Sequence, residues 1–441
     1  MSTWEGTRGV RVITVVLDDD PTGTQEVTDV PVLLTRDREE LERLLSEHDA
    51  VFILTNTRAM LEAEAVALIT TLLSDIYEVE ASLGVRALVV QRGDSTLRGH
   101  VFPEIDAAGR DHVVVFCPAF PAGGRKTVDG VHLVKVSGEW RNAADTEFAD
   151  DLVFGYTARS QVDYVAEKGG GRRGIAVDID GFEQALRSAE AGTVILPNVQ
   201  TDDEIKSLAT MIEAATNDGI RIVVRSAAPL AAYLAHAKSA HYLDDKSVVE
   251  KAGAARPGGV LVVVGSHTAA TSEQLAELMT EKVPAHELST ELALTDPIAA
   301  GQRLASAAIA DLAGGRVTVI SSERQRRSEH STLAHAEAVM TALTIATRAL
   351  SSEACAVVAK GGITSAEVAR VGLDRRTAWV AGQLLPGVSL WVFSDDAARV
   401  DGPGLLYAVV PGNIGTADTL REVVHKISAA TEAGATGSSM K

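Results

Sequence analysis

The stretch VITVVLDDDPTGTQ, from Val12 to Gln25, places three consecutive aspartates directly after an uninterrupted run of β-forming residues. A continuous apolar run that ends at turn residues is typical of a strand buried on both faces, as in a parallel sheet. Like charges held close together raise one another's pKa and cost stability unless a ligand, a metal or hydrogen-bond donors offset them. The end of this strand is therefore either a solvated turn or a place where something binds.

Comparable apolar runs recur along the chain and alternate with longer segments of helical period, such as DEIKSLATMIEAATNDG and TSEQLAELM. This alternation predicts an α/β fold in which mainly parallel sheets are flanked by helices. Because 441 residues exceed one ordinary core, we expect two domains. The small, polar stretch DDKSVVEKAGAARPGG marks the division, which gives domains 1–250 and 251–430 and a disordered tail, 431–441.

Composition excludes several classes of protein. The formal net charge of −19 argues against a nucleic-acid partner, which requires a basic face. No stretch approaches the roughly 18 uninterrupted apolar residues of a membrane span, so we expect no membrane partner and a soluble, cytoplasmic protein. The two cysteines, Cys117 and Cys355, cannot build a disulfide framework or a Cys-rich zinc site, and their apolar surroundings predict buried thiols.

One literal dinucleotide-binding fingerprint, GGGRRG, contains Gly169, Gly171 and Gly174 at the required spacing. The fingerprint functions only when a strand precedes it and a helix follows it. Here the preceding residues are polar and the following residues are strand-like, so we interpret the segment as a loop. No Walker A sequence is present.

Polar clusters follow four predicted strands of the N-terminal part, namely DDDPTGT, TNTRAM, RGDSTLRGH and PAGGRKTVDG. Loops at the carboxyl ends of parallel strands line one crevice, so these clusters should converge. Carboxylates accept hydrogen bonds from hydroxyl groups, and the guanidinium of Arg58, Arg92, Arg98 or Arg125 can bind an anion. The combination suits a polyhydroxylated acid, although any single cluster could be a turn or a helix cap.

The C-terminal part repeats a strand, a glycine turn and a helix start. The three copies are VLVVVGSHTAATSEQL, AVVAKGGITSAEVA and YAVVPGNIGTADTL. Glycine lets backbone N–H groups approach a phosphate, and a helix N-terminus favours its negative charge. Three such turns indicate a nucleotide triphosphate site without a Walker loop, although ordinary helix capping explains any one of them.

The motifs DDDPTGT, RGDSTLRG, VVGSHTAATSEQL, KGGITS and PGNIG, which run in order from about Ile13 to Leu420, resemble those of the four-carbon acid sugar kinase family. The resemblance implies a sugar-acid-binding N-terminal domain and a nucleotide-binding C-terminal domain. It also implies phosphorylation of the terminal hydroxyl of a threonate, an erythronate, a 3-oxo-tetronate, 3-oxo-isoapionate or a close relative, with ATP and Mg²⁺ as cofactors. The expected partners are a small sugar acid and ATP, and a homodimer is the candidate assembly.

The resemblance and the pattern of charges together give candidate site residues. Those predicted to bind the substrate are Asp19, Asp20, Arg58, Arg92, Asp94, Ser95 and Arg98. Those predicted to bind the nucleotide are Ser266, Gly361, Gly362, Ile363, Thr364 and Gly412. Asp94, slightly ahead of Asp20, is the candidate catalytic base, and the sequence assigns no metal ligand.

Two motifs depart from the family pattern. DDDPTGT replaces the common DD-x-TGA and adds Asp18, which we expect on the opposite side of the strand from the other two aspartates. GGIT replaces the frequent GGDT, so that Ile363 stands where the family often has an acidic residue.

Kinase chemistry requires positioning and charge neutralisation, and closure of the two domains would exclude water. A sugar-acid lyase or aldolase is an alternative, with the glycine turns binding a substrate phosphate. A non-catalytic sugar-acid sensor is the third candidate function. ATP-dependent stabilisation and ADP release separate a kinase from a lyase, and turnover separates it from a sensor.

Overall fold

The computed structural model describes residues 10–253, 256–324, 333–396 and 398–438. The strands are β1 Val12–Asp18, β2 Val30–Leu33, β3 Ala50–Leu54, β4 Arg86–Arg92, β5 Val113–Cys117, β6 Arg125–Val128, β7 Val131–Val136, β8 Glu139–Asn142, β9 Gly174–Val177, β10 Val194–Pro197, β11 Ile222–Ser226, β12 Gly259–Val264, β13 Ala285–Leu288, β14 Thr318–Ser322, β15 Ala354–Lys360, β16 Thr377–Leu385, β17 Val388–Ser394 and β18 Gly404–Val410. The helices are α1 Arg38–Glu47, α2 Glu62–Leu83, α3 Val101–Ala107, α4 Gln161–Lys168, α5 Ile179–Ser188, α6 Asp202–Asn217, α7 Ala228–Leu234, α8 Asp245–Ala252, α9 Ala269–Met279, α10 Thr290–Thr295, α11 Pro297–Ala313, α12 Leu333–Leu350, α13 Gly362–Glu367 and α14 Thr419–Ser438.

The chain forms two compact units. Unit 1 comprises Met1–Gly23 and Arg36–Lys238, and unit 2 comprises Thr24–Thr35 and Ser239–Lys441. The sequence places the division between residues 250 and 251, and it assigns the whole N-terminal part to one domain. In the structure, a short N-terminal segment instead belongs to the unit that the C-terminal half of the chain builds.

The main sheet of unit 1 is parallel, with the strand order β3-β1-β4-β11-β5-β10-β9. Strand β1 lies between β3 and β4, and Asp18 is in register with Leu54 and Arg92. All three strands therefore end at the same edge. Val15 and Val16 are fully buried because both faces of the strand are covered, which explains the unbroken apolar run. The predicted parallel α/β architecture is confirmed.

A small antiparallel sheet, β6-β7-β8, follows β5 in unit 1. Two-residue turns connect its strands, Asp129–Gly130 and Ser137–Gly138, and all four of these residues have positive φ. Such turns suit tight hairpins because their twist matches that of the strands. This sheet is not among the elements predicted from the sequence, although VDGV and VSGE are typical hairpin turns.

Unit 2 contains a mixed sheet. Strands β13, β14, β12, β15 and β18 are parallel neighbours in that order. The sheet continues through β17, β16 and β2 with antiparallel pairing. The parallel part agrees with the prediction, whereas the antiparallel edge, which includes β2 from the N-terminal segment, is not anticipated.

The structure bears on three further predictions made from the sequence. The GGGRRG segment lies between α4 and β9, so a helix precedes it and a strand follows it, the reverse of a dinucleotide-binding turn. Helix α14 continues to Ser438, whereas the composition of 431–441 predicts a disordered end; residues 439–441 lie outside the described part of the chain. Both Cys117 and Cys355 are buried free thiols.

Within the residues that the structure describes, none of the helices combines the length and apolar character needed to cross a bilayer.

Candidate active site

The three aspartates lie at the carboxyl end of β1, between the ends of β3 and β4. The Asp18 carbonyl accepts a hydrogen bond of 2.9 Å from the Thr55 amide, and the Asp19 amide donates to the Arg92 carbonyl at 3.3 Å. The side chains of Asp18 and Asp19 are each only 2% exposed, whereas that of Asp20 is 24% exposed. The backbone pairing therefore buries two of the three carboxylates and leaves the third accessible.

Two arginines neutralise this cluster. Arg58 holds Asp19 with two hydrogen bonds, from Nη2 at 2.6 Å and from Nε at 3.2 Å, and reaches Asp20 Oδ2 from Nη1 at 3.4 Å. Arg92 Nη1 lies 3.0 Å from Asp18 Oδ1 and 3.4 Å from Asp19 Oδ1. Fork-like pairing of this kind satisfies charge and geometry together. The protein itself thus offsets much of the repulsion among the aspartates.

The aspartates differ electrostatically. Burial raises the pKa of Asp18 to about 7, although the nearby Arg92 opposes the shift. Burial also acts to raise the pKa of Asp20, but Arg58, Arg92 and two hydrogen bonds from Thr22 outweigh it and hold that pKa below its usual value. At neutral pH Asp20 is therefore ionised, whereas Asp18 is partly protonated.

Asp18 does not lie apart from its neighbours as strand alternation predicts, because it shares the same Arg92 nitrogen with Asp19. The following loop closes over it. A Cβ atom at Gly23 would lie 2.0 Å from Asp18 Oδ2, so this position in DDDPTGT requires glycine.

Asp94 belongs to the loop after β4. Its Oδ2 accepts hydrogen bonds from the Thr96 hydroxyl and from Arg98 Nε, the latter at 2.8 Å. Burial acts to raise the pKa of Asp94, but the charges of Arg58 and Arg98 and these hydrogen bonds lower it to about 2. Among the residues described, none donates to Oδ1. Asp94 is therefore an ionised carboxylate with one oxygen available.

Buried side chains hold this loop by its backbone. Three consecutive carbonyls each accept one hydrogen bond. The Ser95 carbonyl accepts from His132 Nε2 at 2.8 Å. The Thr96 carbonyl accepts from the Tyr156 hydroxyl at 3.2 Å, and the Leu97 carbonyl accepts from the Tyr164 hydroxyl at 2.8 Å. Burial lowers the pKa of His132 to about 4, and the Thr127 hydroxyl lies 3.1 Å from its Nδ1. A neutral ring with its proton on Nε2 satisfies both contacts. The loop is thereby fixed before any ligand arrives.

Two charged residues that the sequence motifs do not indicate, Arg225 on β11 and Glu104 on α3, lie beneath this loop. They form a buried ion pair, with 2.5 Å between Arg225 Nη1 and Glu104 Oε2. Arg225 Nη2 has no hydrogen-bond partner and lies 3.8 Å from Asp19 Oδ2. A Cβ atom at Gly93 would lie 2.4 Å from this Nη2, which explains a glycine at that point. A charged residue within the apolar run IVVRS is the signal that could have identified Arg225.

In unit 2 the three predicted glycine turns come together. A Cβ atom at Gly265 would lie 2.3 Å from Thr364 Oγ1, and one at Gly412 would lie 2.6 Å from Ser266 Oγ. At Gly361, where φ is +120°, it would lie 3.0 Å from the Ser266 Cβ. Because the side chain of one turn lies against the glycine of another, the structure brings the three turns together.

Hydroxyl groups connect these turns. The Thr271 hydroxyl lies 3.0 Å from Ser266 Oγ and 2.9 Å from the Gly412 carbonyl, to which Thr268 also donates. Thr268 caps α9 by accepting from the Thr271 amide at 3.2 Å. The N-terminus of α9 thus lies at this surface and contributes its partial positive charge there.

Lys360, a buried lysine that is not among the predicted site residues, ends β15 directly before Gly361. Its Nζ donates to the Pro411 carbonyl at 2.5 Å, and burial lowers its pKa to about 8. The signal was a charge closing the apolar run ACAVVA. Ile363, by contrast, is 52% exposed.

The described part of the chain contains no group of three or more His, Cys, Asp or Glu side chains that could hold a metal ion.

Comparison with known proteins identifies both regions. Residues 14–234 match the model of a sugar-binding N-terminal domain, and residues 261–420 match that of a nucleotide-binding C-terminal domain. The chain belongs to the four-carbon acid sugar kinase family. The seven predicted substrate residues all lie in the first matched region, and the three glycine turns lie in the second.

Two curated relatives of this sugar kinase family have named substrates. A D-threonate kinase of Bordetella bronchiseptica is 31% identical over 234 residues, which cover 52% of this chain and 51% of that protein. A D-erythronate kinase of Heliobacterium modesticaldum is 29% identical over 245 residues, covering 52% of this chain and 49% of that protein. The matched region thus spans about half the length of each relative.

Two solved structures share the fold of this family member. A Haemophilus influenzae protein aligns over 94% of this chain and all of its own, with a TM-score of 0.65 and 16% identity. A Salmonella typhimurium protein aligns over 93% of this chain and 98% of its own, with a TM-score of 0.67 and 16% identity. At this identity the similarity establishes the fold alone.

Proposed function

We propose that the protein is an ATP-dependent kinase that phosphorylates the terminal hydroxyl of a four-carbon sugar acid, such as a threonate or an erythronate. The observation that carries the proposal is the convergence of three glycine turns in unit 2, because a phosphate-rich nucleotide needs closely approaching backbone N–H groups. The charged cluster of unit 1 supports a polyhydroxylated anion as the second substrate. The names of the two curated relatives agree with both assignments.

In the sugar-acid site, exposure separates two layers. Asp20, Arg58, Asp94 and Arg98 have side chains that are 24%, 21%, 12% and 30% exposed, so they can contact the substrate. Asp19 and Arg92, which are 2% and 6% exposed, lie behind them. We assign hydroxyl binding to the accessible carboxylates of Asp20 and Asp94, and we assign the positioning of these carboxylates to Arg58 and Arg98, with which they pair. Asp19 and Arg92 support this arrangement from behind, and Ser95 follows Asp94 in the same loop.

Asp94 is the proposed group that orients or deprotonates the attacking hydroxyl, because its Oδ1 receives no hydrogen bond from the described residues. A carboxylate with a pKa of about 2 is a weak base. Phosphoryl transfer nevertheless depends mainly on positioning and charge neutralisation. The role proposed for Asp94 is therefore chiefly orientation, and Asp20 is the second candidate.

Ser266, the segment Gly361–Thr364 and Gly412 are proposed to surround the phosphates of the nucleotide. Ile363 is exposed and offers no charge, so its backbone and not its side chain would contribute. Since the described residues provide no metal cluster, Mg²⁺ would arrive coordinated by the phosphates and water. Its chemical contribution would be to neutralise charge on the transferred group.

A coupled ADP-release assay over a panel of four- and five-carbon sugar acids tests this function. We expect ATP-dependent turnover with at least one four-carbon acid and a rise in melting temperature on addition of Mg-ATP. Cleavage of a sugar acid without ATP would instead identify a lyase. Binding of both ligands without turnover would identify a sensor, and either result would overturn the kinase proposal.

A further inference from the structure

Five arginines lie at or near the carboxyl edge of the unit 1 sheet, and four of them are paired with carboxylates. The pairs are Arg58 with Asp19, Arg92 with Asp18, Arg98 with Asp94 and Arg225 with Glu104. Arg125 differs, since no carboxylate in the described part of the chain lies within 4.0 Å of it. Among these five guanidinium groups, it is the one that has no carboxylate partner in the described residues.

The surroundings of Arg125 make this charge costly. Its Nε is buried and lacks a hydrogen-bond partner, and its Nη1 donates to the Gly123 carbonyl. Burial lowers the pKa of Arg125, although the charge of Asp94 opposes the shift. A partly buried charge without a counter-charge is unfavourable, so a ligand that supplies a negative charge would recover part of that energy.

The fold directs Arg125 toward the Asp94 loop. Arg125 begins β6, which follows the carboxyl end of β5, and antiparallel pairing joins Phe120 to Arg125. Two residues further along, the hydroxyl of Thr127 contacts His132, which binds the carbonyl of Ser95 beside Asp94. The small sheet therefore carries Arg125 to the same end of the main sheet as the charged cluster.

We propose that Arg125 binds the carboxylate of the sugar acid and is the residue by which the protein selects an acid over a neutral polyol. A planar guanidinium matches a carboxylate with two parallel hydrogen bonds. Arg58 and Arg92 are engaged in holding the aspartates, which leaves them to organise the hydroxyl-binding side. This inference rests on the proposed function, because it assumes that the unit 1 cluster receives a sugar acid.

Calorimetric titration of the nucleotide-free protein tests the assignment without requiring turnover. The ligands are D-threonate, D-erythronate and the corresponding uncharged polyols, threitol and erythritol. The variant is Arg125→Gln, and Arg125→Lys keeps the charge but removes the fork. The matched control is Lys126→Gln, which removes the adjacent cation that lies 4.6 Å from the Trp140 ring.

We expect Arg125→Gln to weaken binding of the acid by about tenfold or more, which equals roughly 1.4 kcal/mol, with no change for the polyol. Arg125→Lys should recover part of the affinity, and Lys126→Gln should bind like the wild type. Wild-type affinity for the acid in Arg125→Gln would overturn the proposal, as would equal losses for acid and polyol, or no acid binding by the wild type.

The titration and the ADP-release assay test the two proposals separately. If the wild type binds acid through Arg125 but releases no ADP, the kinase proposal falls and this inference stands. If ADP is released but Arg125→Gln retains its acid affinity, this inference falls and the kinase proposal stands. Melting temperatures of all variants, measured in parallel, establish that each is folded.

Discussion

Replacing Lys360 with methionine removes an ammonium group that is fully buried at the end of β15. Burial lowers the pKa of this group from 10.5 to about 8, so the difference between folded and unfolded protein is about 2.5 pKa units. At 1.36 kcal/mol per unit, the linked free energy is about 3 kcal/mol. Methionine has a similar length and no charge, which makes the replacement suitable for isolating this contribution.

The direction of the pH dependence of stability follows from the number of protons bound in the folded and unfolded states. Between about pH 8 and 10.5 the unfolded chain retains the proton that the folded protein has released, so wild-type stability gains from rising pH. The gain is complete above the unfolded pKa and is lost as the pH falls through about 8. The free energy of unfolding of the wild type, minus that of Lys360→Met, should therefore increase by about 3 kcal/mol between pH 7 and pH 10.5.

Urea denaturation at several pH values, followed by the fluorescence of the buried Trp391, measures this difference. The hydrogen bond to Pro411 is lost at every pH, so it offsets the whole curve without changing its slope. Lys246→Met, at a lysine that is 84% exposed in the same unit, controls for loss of a surface charge. A constant difference between the wild type and Lys360→Met across this pH range would refute the reasoning.

Three further outcomes follow from the site. Asp94→Asn should lower kcat for the sugar acid by about 100-fold with a smaller change in KM, because Asp94 is proposed to act on the attacking hydroxyl. ADP release measures both constants, and a near-normal kcat would remove Asp94 from that role. Gly412→Ala places a Cβ atom 2.6 Å from Ser266 Oγ and should weaken ATP binding at least about tenfold in a thermal-shift titration. Gly181→Ala, where a Cβ atom meets open space, should leave ATP binding unchanged, and equal effects of both would contradict a local role. Because the pKa of Asp18 in the folded protein is raised to about 7, the wild type should lose stability relative to Asp18→Asn as the pH rises from about 4 to 7. Urea denaturation measures this difference, and a difference that grows in favour of the wild type over this range would contradict the raised pKa.

Features encoded by short stretches of sequence could be predicted. The apolar runs become parallel strands because an unbroken run of Val and Ile suits burial on both faces, as in β1 and β12. The glycine turns could be located because each follows such a run directly. Their mutual contact, seen where Ser266 meets Gly361 and Gly412, follows from parallel strands ending at one edge.

Features that depend on distant partners could not be predicted. Arg225 and Glu104 pair across 121 residues, and nothing near either residue specifies the other. The same limit applies to β2, whose partner β16 lies in the C-terminal half of the chain. The roles of the predicted site residues stay predictions until they are tested.

The assignment of β2 to unit 2 has a consequence for synthesis of the protein on the ribosome. Val30–Leu33 is translated before its antiparallel partner Thr377–Leu385, which begins 344 residues after Leu33. At roughly 5 to 20 residues per second, this apolar segment waits on the order of tens of seconds for its neighbour. Its Val30, Pro31 and Val32 combine two apolar strand residues with a proline, which cannot donate to a sheet and so discourages pairing with other nascent chains.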